Sequence, residues 1–91
     1  MPITIRTQEP LRKFLDNEAV VEISAGSIAD VIGKLKARYP NFAARLLDER
    51  GSIRRFVNVY VNEEDIRFLQ NQETLLKDGD EITIIPSTAG G

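Results

Sequence analysis

Asp78-Gly79-Asp80-Glu81-Ile82-Thr83-Ile84-Ile85-Pro86-Ser87-Thr88-Ala89-Gly90-Gly91 decides how the rest of the chain is read. Asp78-Gly79-Asp80 is a turn signal: glycine supplies the positive φ of a tight turn, and aspartate bonds its own backbone. Glu81 to Ile85 places Ile82 and Ile84 on one side, which predicts a strand. Pro86 has no N–H to give to a ladder and breaks the strand. Ser87 to Gly91 is then a tail of small residues. The six residues from Pro86 onward reach about 20 Å if extended. Gly90-Gly91 has no Cβ, so it can lie extended in a channel too narrow for any side chain. The Gly91 carboxylate is then an uncrowded group that another enzyme can activate, conjugate or turn into a thiocarboxylate. The expected organisation is a folded domain over 1–86 and a flexible Gly-Gly tail over 87–91.

Upstream, Phe56-Val57-Asn58-Val59-Tyr60-Val61 predicts the clearest strand. Val57, Val59 and Val61 fall on its core face, and Phe56, Asn58 and Tyr60 on the other. Asn62 to Asp65 is a polar turn, and Ile66-Arg67-Phe68 reads as a short return strand. Leu75 and Leu76 read as core residues on an irregular connection. Nearer the N-terminus, Ile3 to Arg6 and Val20 to Ile23 predict two strands that pair as a hairpin. Between them runs a polar loop with a helical turn around Leu11 to Leu15. Ser27-x-x-Asp30 has the form of a capping box. Ile28, Val31, Ile32, Leu35 and Tyr39 follow on one helical face, until Pro40. Gly33 inside that helix weakens it or permits close packing. Asn41 to Glu49 reads as a second, short helix with Phe42, Leu46 and Leu47 on its apolar side. The order β, β, α, short α, β, β, β predicts an α+β fold, with one main helix packed across a mixed sheet of four to five strands. The last strand is expected to lie centrally, beside the first.

The chain has 91 residues, enough for one small domain, and a net charge of -2 from 12 basic and 14 acidic side chains. That balance does not point to nucleic acid, which favours a clearly basic chain. No apolar run approaches the ~20 residues of a membrane span. The first residues lack the basic and apolar regions of a signal peptide, so a cytoplasmic location is expected. There is no cysteine and no histidine. A thiol nucleophile, a persulfide carrier and the commonest general base are therefore excluded. If sulfur is handled here, it cannot ride on a side chain, and the C-terminal carboxyl is what remains.

With these elements in place, the chain resembles the ubiquitin-like, β-grasp sulfur-carrier family that includes the molybdopterin synthase small subunit and the thiamine-pathway sulfur carrier. Three segments carry the resemblance: Pro10-Leu11-Arg12-Lys13 after the first strand, Phe56 to Phe68, and Asp78 to Pro86 ending in Ala89-Gly90-Gly91. Phe56 to Phe68 resembles the third-strand region of the carriers used in cysteine biosynthesis. The resemblance implies a protein cosubstrate and not an enzyme. A ubiquitin-activating-like partner would use ATP to adenylate Gly91, with no cofactor bound by this chain itself. Sulfide or a persulfide would then displace AMP and leave a thiocarboxylate, a strong nucleophile by the logic that makes thiolates reactive. The implied acceptor is a pyridoxal-phosphate cysteine synthase, with a metalloprotease releasing the cysteine. The alternatives are the large subunit of molybdopterin synthase as acceptor, or a ubiquitin-like modifier joined to lysines through Gly91. Thr88, Ala89 and Gly90 would thread the partner's tunnel.

Phe56, Tyr60 and Ile85 are expected to share the outer face of the sheet as an apolar docking patch for the activating partner. Arg45, Arg50, Arg54 and Arg55 fall within eleven positions. They read as a solvated helix end and loop, with an acidic partner or RNA as the alternative, and no aromatic residues interleave for base stacking. Glu63-Glu64-Asp65 lacks the spaced ligands and glycine of a calcium loop and reads as a turn, with no metal expected. Gly26, Gly33 and Gly51 do not have the spacing of a phosphate loop.

Overall fold

Ile3, Ile5 and Thr7 are buried while Arg6 between them is exposed, so the sequence alternation is that of a strand with one face on the core, β1 (Ile3–Thr7). The structure, a computed structural model, describes residues 2–8 and 11–86. β2 (Val20–Ile23) pairs antiparallel with β1 and turns Val21 and Ile23 to the same core. A 3-10 turn over Leu11–Leu15 joins them and buries Leu11 and Leu15.

Helix α1 (Ile28–Arg38) starts where the capping signal stands. Ser27 Oγ accepts from the Asp30 N–H at 3.1 Å, while Asp30 Oδ2 accepts from the Gly26 N–H at 3.2 Å, one residue before the usual capping-box partner. Its buried stripe is Ile28, Val31, Ile32 and Leu35, as the spacing predicts. Pro40 has a second role: it is the first residue of α2 (Pro40–Leu46), a position where its missing N–H costs nothing. Phe42 and Leu46 of α2 are fully buried against the sheet and α1. Each such side chain contributes about 1.5–3 kcal/mol on leaving water.

β3 (Val57–Val61) buries its three valines, and β5 (Glu81–Pro86) buries Ile82 and Ile84. With the two-residue β4 (Glu64–Asp65) at one edge, the sheet order is β2-β1-β5-β3-β4. β5 lies at the centre, parallel to β1 and antiparallel to β3, which is the predicted arrangement. Both helices cover one face of this mixed sheet, and among the described residues no helix covers the other, the open face.

Four local expectations are corrected. Phe56 is not in the strand; it sits in the turn before β3. The return strand is β4 (Glu64–Asp65), and Ile66–Phe68 is a 3-10 turn. The reason is the tightness of the hairpin. Asn62 and Glu63 both take positive φ, 50° and 77°, so pairing resumes at once with Val61 opposite Glu64. Asp65 Oδ1 then accepts from the Arg67 N–H and starts the 3-10 turn. Phe68 is left 85 % exposed. Leu75 is not core either: it is 79 % exposed, and Leu76 is the one that packs on the apolar cluster. The second helix also ends earlier than predicted, because Leu47 is already extended and bridges to Ile53.

Candidate functional site

β5 is fixed along its whole length before the tail begins. At its start, Gly79 takes φ 84° in the turn where Asp80 donates its N–H to the Lys77 carbonyl. Asn62 grips the same corner: its side chain donates to Asp80 Oδ1 at 2.9 Å and accepts from the Glu81 N–H at 3.0 Å. Near its end, buried Thr7 Oγ1 donates to the Ile84 carbonyl at 2.8 Å. Pro86, the last described residue, stands opposite Val57 of β3. The strand that leads to the tail is thus held by neighbours on both sides.

The open face of the sheet beside this exit carries Asn58 and Tyr60 of β3, and Thr83 and Ile85 of β5. Asn58 is paired with Ile85, and Tyr60 with Thr83, so Tyr60 and Ile85 are diagonal neighbours on one face. Both are half-buried. Arg6 and Glu81 form an ion pair at 2.8 Å on the same face. With both side chains about half exposed, that pair contributes little to stability. Arg67 reaches in from the edge: its guanidinium bonds Asn58 Oδ1 and holds Asp65 through Nε at 3.2 Å and Nη2 at 2.9 Å. The hydrogen bonds from Arg67 hold the Asp65 carboxyl below its ordinary value, against a smaller opposing effect of burial.

The three expected docking residues do not all meet. Tyr60 and Ile85 share the open face. Phe56 lines a cleft on the helix side, with Phe14, Asn41, Ala44, Arg45 and Arg54. Gly91, Gly90, Ala89 and Thr88 lie outside the described residues, as does the tail over 87–91 and Pro10 of the resemblance. Glu63 and Glu64 lie in the hairpin turn and β4, as a turn reading requires.

Two residues of this region were not singled out from sequence. The alternation places Arg67 in a strand; the signal for its role is Asp65 two residues earlier, which caps a turn and holds the guanidinium beside Asn58 of β3. Phe14 lay in the predicted helical turn. Its pairing with Arg45, whose Cζ lies 5.0 Å from the ring centroid, joins segments far apart in sequence.

Comparison with known proteins agrees with this geometry. Residues 8–91 match the ThiS family. The sulfur carrier protein CysO of Mycobacterium tuberculosis is 39% identical over 93 aligned positions, covering 100% of both chains. In the crystal structure of the Amycolatopsis orientalis BexX/CysO complex, a chain 38% identical superposes with a TM-score of 0.88 over 98% of this chain and 99% of that one. Small archaeal modifier protein 3 of Haloferax volcanii is 35% identical over 65 positions, 71% of this chain and 70% of its own.

Proposed function

The chain belongs to the ThiS family, and from that premise we propose that it is a sulfur carrier whose Gly91 carboxylate is adenylated and then converted to a thiocarboxylate for cysteine biosynthesis. The observation that carries this reading is the end-to-end match to a CysO sulfur carrier. A carboxylate is a poor electrophile. Attack of the Gly91 carboxylate on the α-phosphate of ATP forms a mixed anhydride and releases pyrophosphate. Attack of sulfide on the acyl carbon then breaks the bond to AMP, which leaves, and the sulfur keeps the negative charge as a thiocarboxylate. A chain without cysteine or histidine takes part as cosubstrate, and the catalytic groups and ATP site belong to an activating enzyme.

The β-grasp body presents the tail. β5 is central and clamped near both ends, so it offers a partner a fixed base up to Pro86. Docking on Tyr60 and Ile85 would place a partner beside Pro86. A relative crystallised in a complex with a second protein supports a partner-dependent role. The acceptor in this reading is a pyridoxal-phosphate cysteine synthase, followed by a metalloprotease, in the cytoplasm. Tyr60→Asp and Ile85→Asp should each raise the KM for adenylation; unchanged kinetics in both would remove the patch from the account.

The likeness to a small archaeal modifier protein favours one second reading, conjugation through Gly91 to lysines of other proteins. Both readings use the same activation and part at the product: a thiocarboxylate in one, an isopeptide in the other. Mass analysis after incubation with the activating enzyme, ATP and a sulfur source separates them.

A further inference from the structure

The arginine cluster has a partner in space that it lacks in sequence. Arg45 of α2 and Arg54 of the following loop line an open cleft of about 600 Å³ together with Phe14, Asn41, Ala44 and Phe56. Phe14 carries two cations near its ring, Arg45 at 5.0 Å and Lys13 at 5.4 Å. Phe56 is 49 % exposed. Arg54 Nη2 is steadied by the Ala44 carbonyl at 3.4 Å. Among the described residues neither Arg45 nor Arg54 forms an ion pair with a carboxylate, and no anionic residue lines the cleft. This concentration of positive charge stands in a chain whose net charge is -2.

Its place is equally informative. Phe56 directly precedes Val57, and Val57 stands opposite Pro86, where the described part of β5 ends. A protein bound where the described part of β5 ends therefore has this cleft within reach, on the side of the sheet opposite to Tyr60 and Ile85.

We infer that the cleft between α2, the 3-10 turn at Leu11–Leu15 and the 54–56 loop docks an acidic segment of the partner that activates the tail, with a carboxylate on Arg45 and Arg54 and an apolar side chain between Phe14 and Phe56. This rests on the carrier reading above. Guanidinium groups pair with carboxylates through two parallel N–H bonds, and arginine with aromatic residues is the usual make-up of an interface centre. An acidic peptide fits better than a nucleic acid, because a polyanion meets a chain of net negative charge and a cleft with only two arginines in its lining.

The test has two arms. In the first, the 15N-labelled full chain is titrated with a short peptide of alternating glutamate and leucine, and separately with single-stranded oligouridylate. The peptide should move the amide resonances of Phe14, Ala44, Arg45, Arg54 and Phe56. The effect should fade with added salt and vanish in Arg45→Gln/Arg54→Gln, provided its thermal unfolding is unchanged; Arg45→Gln alone serves if the double variant is unstable. In the second, adenylation of Arg45→Glu and Arg54→Glu should show a KM raised about tenfold with kcat held, as charge at an interface acts on encounter and affinity. Resonances unmoved by the peptide, resonances moved by oligouridylate instead, or an unchanged KM against an adenylated wild type would each overturn the inference. A wild type that is never adenylated would sink the carrier reading, while the peptide arm still decides on the cleft.

Discussion

Thr7 donates its hydroxyl to the carbonyl of Ile84 at 2.8 Å, a buried bond between residues 77 positions apart. It joins the end of the first strand to the strand that leads to the tail. Thr7→Val keeps the shape and removes the donor, leaving a buried carbonyl unpaired. We expect a loss of about 1–2 kcal/mol, seen as a lower urea midpoint with unchanged slope. Thr7→Ser should lose less than Thr7→Val; the reverse order would mean that the methyl group, and not the bond, matters at this place.

Gly33 faces solvent inside α1, and a Cβ built there meets nothing within 4 Å. Close packing is therefore not its reason. Gly33→Ala should raise stability by about 0.5–1 kcal/mol through helix propensity and a less mobile unfolded chain. A fall in the thermal midpoint would show an undetected contact at that position.

Leu46 and Leu75 make a paired test of the core. Leu46 is buried in α2, whereas Leu75 is exposed. Leu46→Ala should cost about 2–5 kcal/mol, and Leu75→Ser should stay within about 0.5 kcal/mol of the parent. A large loss at Leu75 would contradict the exposed position of this residue.

Asp65 gives the pH dependence. Its carboxyl titrates lower in the folded chain, chiefly because Arg67 hydrogen-bonds the ionised form. Such a group stabilises the fold above its unfolded pKa, and the contribution is lost as pH falls through the folded value. The effect belongs below about pH 4. Asp65→Asn should be less stable than the parent at neutral pH and converge with it in strong acid. Parallel stability curves would show that the pair carries no net linkage.

Residues with a long, unbroken period were legible in the sequence. The α1 stripe, the valines of β3 and the isoleucines of β5 each repeat one signal several times, and burial follows it. Short signals failed where a local bond outweighed them. Ile66 and Phe68 alternate like a strand, yet Asp65 caps a turn there, and only Ile66 is buried. Hydrophobicity alone places Leu75 in the core, whereas its backbone bridges to Ser27 and its side chain faces water. The split of Phe56 from Tyr60 turned on a strand beginning one residue later than predicted. The meeting of Phe14, Arg45, Arg54 and Phe56 was not legible, because three separate segments supply it and no periodicity links them. The reading of Gly90-Gly91 draws on residue type alone, because glycine carries no side chain.

The most direct test of the central claim is the intact mass of the protein after incubation with ATP, the activating enzyme and sulfide. We predict a gain corresponding to replacement of one oxygen by sulfur, mapped by fragmentation to Gly91 and absent when Gly91 is deleted or followed by an added alanine. An unchanged mass in a preparation where the enzyme consumes ATP on a known carrier, or a sulfur located anywhere but Gly91, would contradict the account.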